Sequence, residues 1–173
     1  LDTQLKALPS NTTGRGVDAI VVGNHDVRAI SMVNNMKASS LPFVSVNILD
    51  DGAAIPAPGP MPLGNTFSPY VMIDVDNDNN PGTPATRVAV LGYSTDDSTI
   101  LTDETINVLD VIEVRWSDDD PSTIDLKDWV EYLRTTEGAD SVILLSHVGH
   151  RRLNATDEIL LGDFGDVAPP DVV

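Results

Sequence analysis

The chain has 173 residues, 41% of them apolar, enough to bury the core of one domain or most of one. Ten basic side chains against 27 acidic ones leave a net charge of −17, which repels phosphate backbones, argues against a nucleic-acid polymer as partner and suits divalent cations. Cysteine is absent, so disulfides and thiolate metal sites are excluded, and no apolar run approaches the roughly 18–20 residues of a membrane span.

Leu1, Leu5 and Leu8 share one helical face at the start, and a loop over residues 9–16 follows. Asn11-Thr12-Thr13 and Asn154-Ala155-Thr156 match the glycosylation acceptor triplet, which makes Asn11 and Asn154 candidate acceptors in a secreted protein. Ala19 to Val22 read as a strand of a covered, mostly parallel sheet. Gly23 allows a sharp exit, and Asn24, His25 and Asp26 then offer a neutral carbonyl oxygen, an imidazole and a carboxylate in succession. Ligands of open α/β sheets gather at such carboxyl ends. A polar turn built by Asn and Asp is the plainer reading; a His set between two oxygen donors is more than a turn requires.

Residues 29–39 read as a helix with Ile30, Val33 and Met36 or Met32 inward, and 43–48 as the next strand after Pro42. A helix between two strands predicts a right-handed βαβ unit. Residues 50–69, rich in Pro, Gly and Ala, read as a long loop. Residues 70–75 and 87–93 read as strands joined across 76–85 in an extended hairpin. Asp74, Asp76 and Asp78 stand at alternate positions as in calcium loops. Asn79 replaces the usual Gly and Ala85 the bidentate Glu, so a solvated acidic turn is preferred to a calcium site.

Residues 106–116 are ambiguous, with strand character at their end, and Asp118-Asp119-Asp120-Pro121-Ser122 resembles a helix start. An amphipathic helix is expected over 124–136, with Trp129, Val130 and Leu133 inward. Residues 141–145 form another buried strand, running into Ser146-His147-Val148-Gly149-His150; a helix over 156–162 and a strand from Asp171 complete the pattern. Two buried strands thus end in His-bearing motifs, each with a flanking glycine. Alternating strands and helices predict an α/β fold.

Gly23-Asn24-His25-Asp26 resembles the Gly-Asn-His-Asp/Glu signature of the calcineurin-like metallophosphoesterase superfamily, and the secreted 5′-nucleotidase and cyclic-phosphodiesterase branch fits best. Pro42-Phe43-Val44-Ser45-Val46-Asn47-Ile48 resembles the family's following strand. Val88-Ala89-Val90-Leu91-Gly92-Tyr93-Ser94-Thr95 resembles its strand and threonine-bearing turn. Residues 140–149 resemble its Ser-His-x-Gly strand end. Order and spacing agree across nearly the whole chain, and the first and last of these motifs are the specific ones.

The resemblance implies a metallophosphoesterase-type β-sandwich of mixed sheets flanked by helices. It implies that Asn24 and His147 are ligands of the second of two divalent transition metals (Zn, Mn or Fe). Such a pair of ions clamps a phosphate and lowers the pKa of a bridging water. It implies further that His25 stabilises the transition state or protonates the leaving alkoxide, with Asp26 orienting that imidazole. The Asp-x-His and Gly-Asp that the family carries before the asparagine motif, and its Gly-x-His-x-His after the Ser-His motif, have no counterpart at those places, and Arg28 stands where the branch commonly carries an Asp.

The chain is therefore expected to be a single partial domain, the central segment of a phosphoesterase acting on phosphate esters such as nucleotides. Partners would be the remaining segments of the same domain or other subunits, and the expected location is secreted, extracellular or periplasmic. Alone, the segment is expected to be inactive. The rival expectations are a catalytically inactive structural or assembly protein that keeps the fold, and a calcium-dependent extracellular module.

Overall fold

The computed structural model describes residues 17–59, 64–75, 82–96, 101–116, 120–147 and 171–172. In chain order the elements are β1 (Ile20–Val21), α1 (Ile30–Ala38), β2 (Phe43–Val44), β3 (Ile48–Asp50), β4 (Tyr70–Val75), β5 (Thr86–Ser94), β6 (Leu109–Val111), β7 (Val114–Arg115), β8 (Ile124–Asp125), α2 (Leu126–Thr135), β9 (Ser141–His147) and β10 (Asp171–Val172). The segments expected to be helical at 1–8 and 156–162 lie outside the described residues.

The largest sheet has the order β10-β9-β5-β4. It is mixed: β4 and β5 form the expected antiparallel hairpin, while β5–β9 and β9–β10 are parallel. Side chains alternate across a strand, so one strand serves two layers. From β5, Ala89, Leu91 and Tyr93 join Val142 and Leu144 of β9 in a core closed by Leu126, Trp129, Val130 and Leu133 of α2. Those four helical positions, spaced i, i+3, i+4 and i+7, make the apolar stripe the sequence predicts. Tyr70, Trp129 and Tyr132 add three edge-on ring pairs with centroids 6.3–6.5 Å apart, the arrangement the ring quadrupoles favour.

The other face of β5 meets β1 and β2, which pair in parallel, Ile20 with Phe43 and Val21 with Val44. The approach is close. A Cβ on Gly92 would lie 2.4 Å from the Val44 carbonyl oxygen and 2.8 Å from its Cγ2, so only glycine fits. The layer behind holds a second core of Val22, Val27, Val33, Ile48, Phe67 and Leu109, with Ile30 and Met36 of α1 packed against it. Met32, the alternative inward residue of α1, is exposed. Helices thus lie outside packed sheets, with the βαβ unit β1–α1–β2 in place.

Two boundaries differ from the sequence reading. The strand expected over 43–48 is two, because the chain changes partners midway: β2 pairs with β1, while β3 pairs antiparallel with β6. Between them Ser45 donates its N–H to the Ser68 carbonyl and Val46 donates to Gly92. The second helix starts after Asp125, not at 118–122. Asp125 accepts N–H bonds from Lys127 at 2.8 Å and Asp128 at 3.3 Å, satisfying two donors of the first turn. Asp120 is used in a tight turn, where the Ser122 hydroxyl and N–H bond its carboxylate and hold its pKa below the usual carboxylate value. The ambiguous segment resolves into turns through residue 108, then β6 and β7. The expected loop over 50–69 begins on the last residue of β3, Asp50, and beyond it carries only isolated bridges at Asn65 and Ser68 in its described part.

Candidate metal centre

Register builds the site. In the parallel β5–β9 pair, Gly92 stands beside Leu145 and Ser94 beside His147. Gly92 and Ser94 face β1–β2, so His147, two residues after Leu145, is delivered to that same face at the strand's carboxyl end. There it meets the turn leaving β1. His147 Nε2 lies 3.2 Å from Asn24 Oδ1, a contact between residues 123 positions apart. With Nε2 protonated, the imidazole donates to the amide oxygen.

Gly23 gives this meeting room, since a Cβ there would crowd His147 Cε1 and Nε2 at 3.2 Å and Asp26 Oδ2 at 3.2 Å. Asp26 closes the turn: its Oδ2 accepts the Gly23 N–H at 2.9 Å, and its own N–H donates to the Gly23 carbonyl at 3.0 Å. That oxygen is therefore occupied with the backbone, and Asp26 shapes the loop that presents Asn24. His25 is exposed beside them.

Beneath the pair lies a buried polar network that the sequence did not single out. Ser45 and Asn47 are 0% exposed and Ser94 2%. Asn47 uses all four of its amide valences. Its Nδ2 donates to the carbonyls of Ser94 at 2.9 Å and Ile112 at 3.0 Å, and its Oδ1 accepts from the Ser94 N–H at 3.0 Å and Ser45 Oγ at 3.1 Å. Ser94 Oγ donates to the Val22 carbonyl at 2.7 Å and sits 2.9 Å from Ser45 Oγ. A buried network satisfied in this way favours a single arrangement of the strands it joins. These residues lie within segments quoted for the resemblance, but nothing in their spacing shows that they meet.

One amide oxygen and one imidazole nitrogen form a donor set that suits Zn, Mn or Fe better than calcium. The fit is that of part of a coordination shell: among the described residues no group of three or more His, Asp and Glu side chains converges. Arg28 is exposed, and its carbonyl accepts from Thr102 Oγ1 at 2.8 Å, pinning the turn before α1.

The candidate calcium turn is only partly described. Asp74 pairs with Arg87 at 3.4 Å; Asp76 and Asp78 lie outside the described residues, as do Asn11, Asn154 and His150. Among the described residues no helix is long and apolar enough to cross a membrane.

No family model matches the chain. Protein UshA of Yersinia enterocolitica is 29% identical over 159 residues, covering 91% of this chain and 23% of that protein. Two solved structures share the fold. One is a Thermus thermophilus sulfate thiohydrolase, SoxB, in complex with glycerol (TM-score 0.53, 22% identity, 91% of this chain and 23% of that one). The other is the Haemophilus influenzae NAD nucleotidase NadN (TM-score 0.50, 19% identity, 85% of this chain and 22% of that one). The chain spans about a quarter of the length of each of these proteins. Over 85–91% of its length it shares a metallophosphoesterase-type fold with these two structures, and it is similar to the 5′-nucleotidase branch of the calcineurin-like metallophosphoesterases.

Proposed function

We propose that the protein carrying this chain is a metal-dependent phosphoesterase that hydrolyses phosphate monoesters such as nucleotides. The observation that supports it most is the meeting of Asn24 Oδ1 and His147 Nε2 at 3.2 Å across two strand ends, over a glycine that leaves them room. Asn24 and His147 would hold a divalent transition metal, and the remaining donors, including those of a second ion, would come from residues outside the described ones. When bound, such ions neutralise phosphoryl charge and lower the pKa of a water.

The chain's own residues do the rest. Asn24 contributes a neutral oxygen, so it adds a donor without adding negative charge where a phosphate must enter. His25 is exposed and adjacent to it, placed to hold a proton for the leaving alkoxide oxygen. Asp26 fixes the turn through Gly23 and so sets where both side chains point. On the same resemblance we place the protein outside the cytoplasm.

The test is hydrolysis of a nucleoside 5′-monophosphate by the full-length protein. Chelation should abolish activity and Mn²⁺ or Zn²⁺ should restore it. His25→Ala should lower kcat by about 10²–10⁴-fold while leaving metal content unchanged. Full activity after chelation, or an unimpaired His25→Ala variant, would overturn the proposal.

A further inference from the structure

We propose that Ser94 is the positioning residue that sets the separation of Asn24 and His147, an assignment that rests on the metal-site reading above. Ser94 is in direct touch with both strand ends that carry the pair. Its main chain is the register partner of His147 in the parallel β5–β9 ladder. Its hydroxyl donates to the Val22 carbonyl at 2.7 Å, two residues before Asn24. The first tie fixes where His147 leaves its strand, and the second fixes where the Gly23 turn begins.

The rest of the network holds Ser94 itself. Its N–H and carbonyl are both taken by the Asn47 side chain, at 3.0 and 2.9 Å. Its hydroxyl proton goes to Val22, and the one Ser45 hydroxyl proton is shared between Asn47 Oδ1 at 3.1 Å and Ser94 Oγ at 2.9 Å. Ser45 thus supports the network without touching Val22 through its side chain. A serine kept only to fill a buried polar site would need no link to either strand end. Here one 2%-exposed hydroxyl ties the β1 exit to the β5–β9 ladder at its last rung.

Ser45→Ala is the matched control: it removes buried hydrogen bonds from the same network and leaves the Ser94–Val22 bond in place. In the metal-free full chain, NMR should show a cross-peak between Gly23 Hα and His147 Hε1, the atoms brought together where a Gly23 Cβ would touch the ring. Ser94→Ala should lose it and Ser45→Ala should keep it. In the full-length protein, calorimetry with Mn²⁺ should show affinity falling about tenfold or more for Ser94→Ala and little changed for Ser45→Ala. If Ser94→Ala does not fold, Ser94→Cys keeps the volume with a much weaker donor and carries the same expectation.

A retained cross-peak and unchanged Mn²⁺ affinity in the Ser94 variant would overturn the assignment. So would equal losses in both variants, which would make the network merely structural. Absence of Mn²⁺ binding by the unaltered protein would instead sink the phosphoesterase reading, while the cross-peak comparison would still decide the role of Ser94.

Discussion

Gly92 is where a single atom decides the packing of two layers. A Cβ there would stand 2.4 Å from the Val44 carbonyl oxygen and 2.6 Å from its carbonyl carbon, both backbone atoms that cannot rotate away. Gly92→Ala should therefore destabilise the protein by about 2 kcal/mol or more, read as a lowered urea midpoint. An unchanged midpoint would mean that the layers are not held so close. Residue-level chemistry was partly legible beforehand. The residues alone showed two His-bearing strand ends with a glycine near each; the pairing of Asn24 with His147 came from the resemblance, and the two side chains stand 3.2 Å apart. The Ser45–Asn47–Ser94 network was not legible, because all its bonds but the one from Ser45 to Asn47 span 47 to 72 positions and depend on register. Asp26 was read as a partner for His25; its Oδ2 also bonds the Gly23 N–H, a turn-closing role that spacing alone does not show.

At the scale of elements, the apolar periodicity of α2 identified Trp129, Val130 and Leu133 as buried, and all three are. Its start was misplaced because several Asp residues precede it, and any of them can cap. The one that does is Asp125, so Asp125→Ala should cost about 1 kcal/mol, read as a lowered urea midpoint. The far end of this helix predicts a pH response. Tyr70 and Tyr132 both donate to Glu137 Oε1, at 3.0 and 2.7 Å. Burial, then the Glu137 bond, raises the Tyr70 pKa, and the Glu137 bond, then burial, raises that of Tyr132. A tyrosine whose folded pKa exceeds its unfolded value of about 10 contributes stability that is fully present below that pH and lost as pH rises through the folded pKa. Urea midpoints should therefore fall above about pH 10, and Tyr70→Phe with Tyr132→Phe should flatten that fall. A fall as steep in the double variant would place its origin elsewhere.

At the scale of the whole molecule, alternation of strands and helices predicted an α/β fold and the resemblance implied packed mixed sheets flanked by helices, and that is the architecture found. The change of partner between β2 and β3 was hidden, since one apolar run can serve two successive sheets without any break in its pattern. The two layers meet along β5, and the candidate centre lies where the last rung of that strand meets the exit of β1. Its central claim is that Asn24 and His147 act as one unit. Groups that act as a unit give non-additive losses when removed. The direct measurement is a double-mutant cycle on nucleoside monophosphate hydrolysis by the full-length protein, with Asn24→Ala, His147→Ala and the pair. The double variant should be no more impaired in kcat/KM than the worse single one; losses that multiply, or single variants that hydrolyse at the unaltered rate, would contradict the shared site.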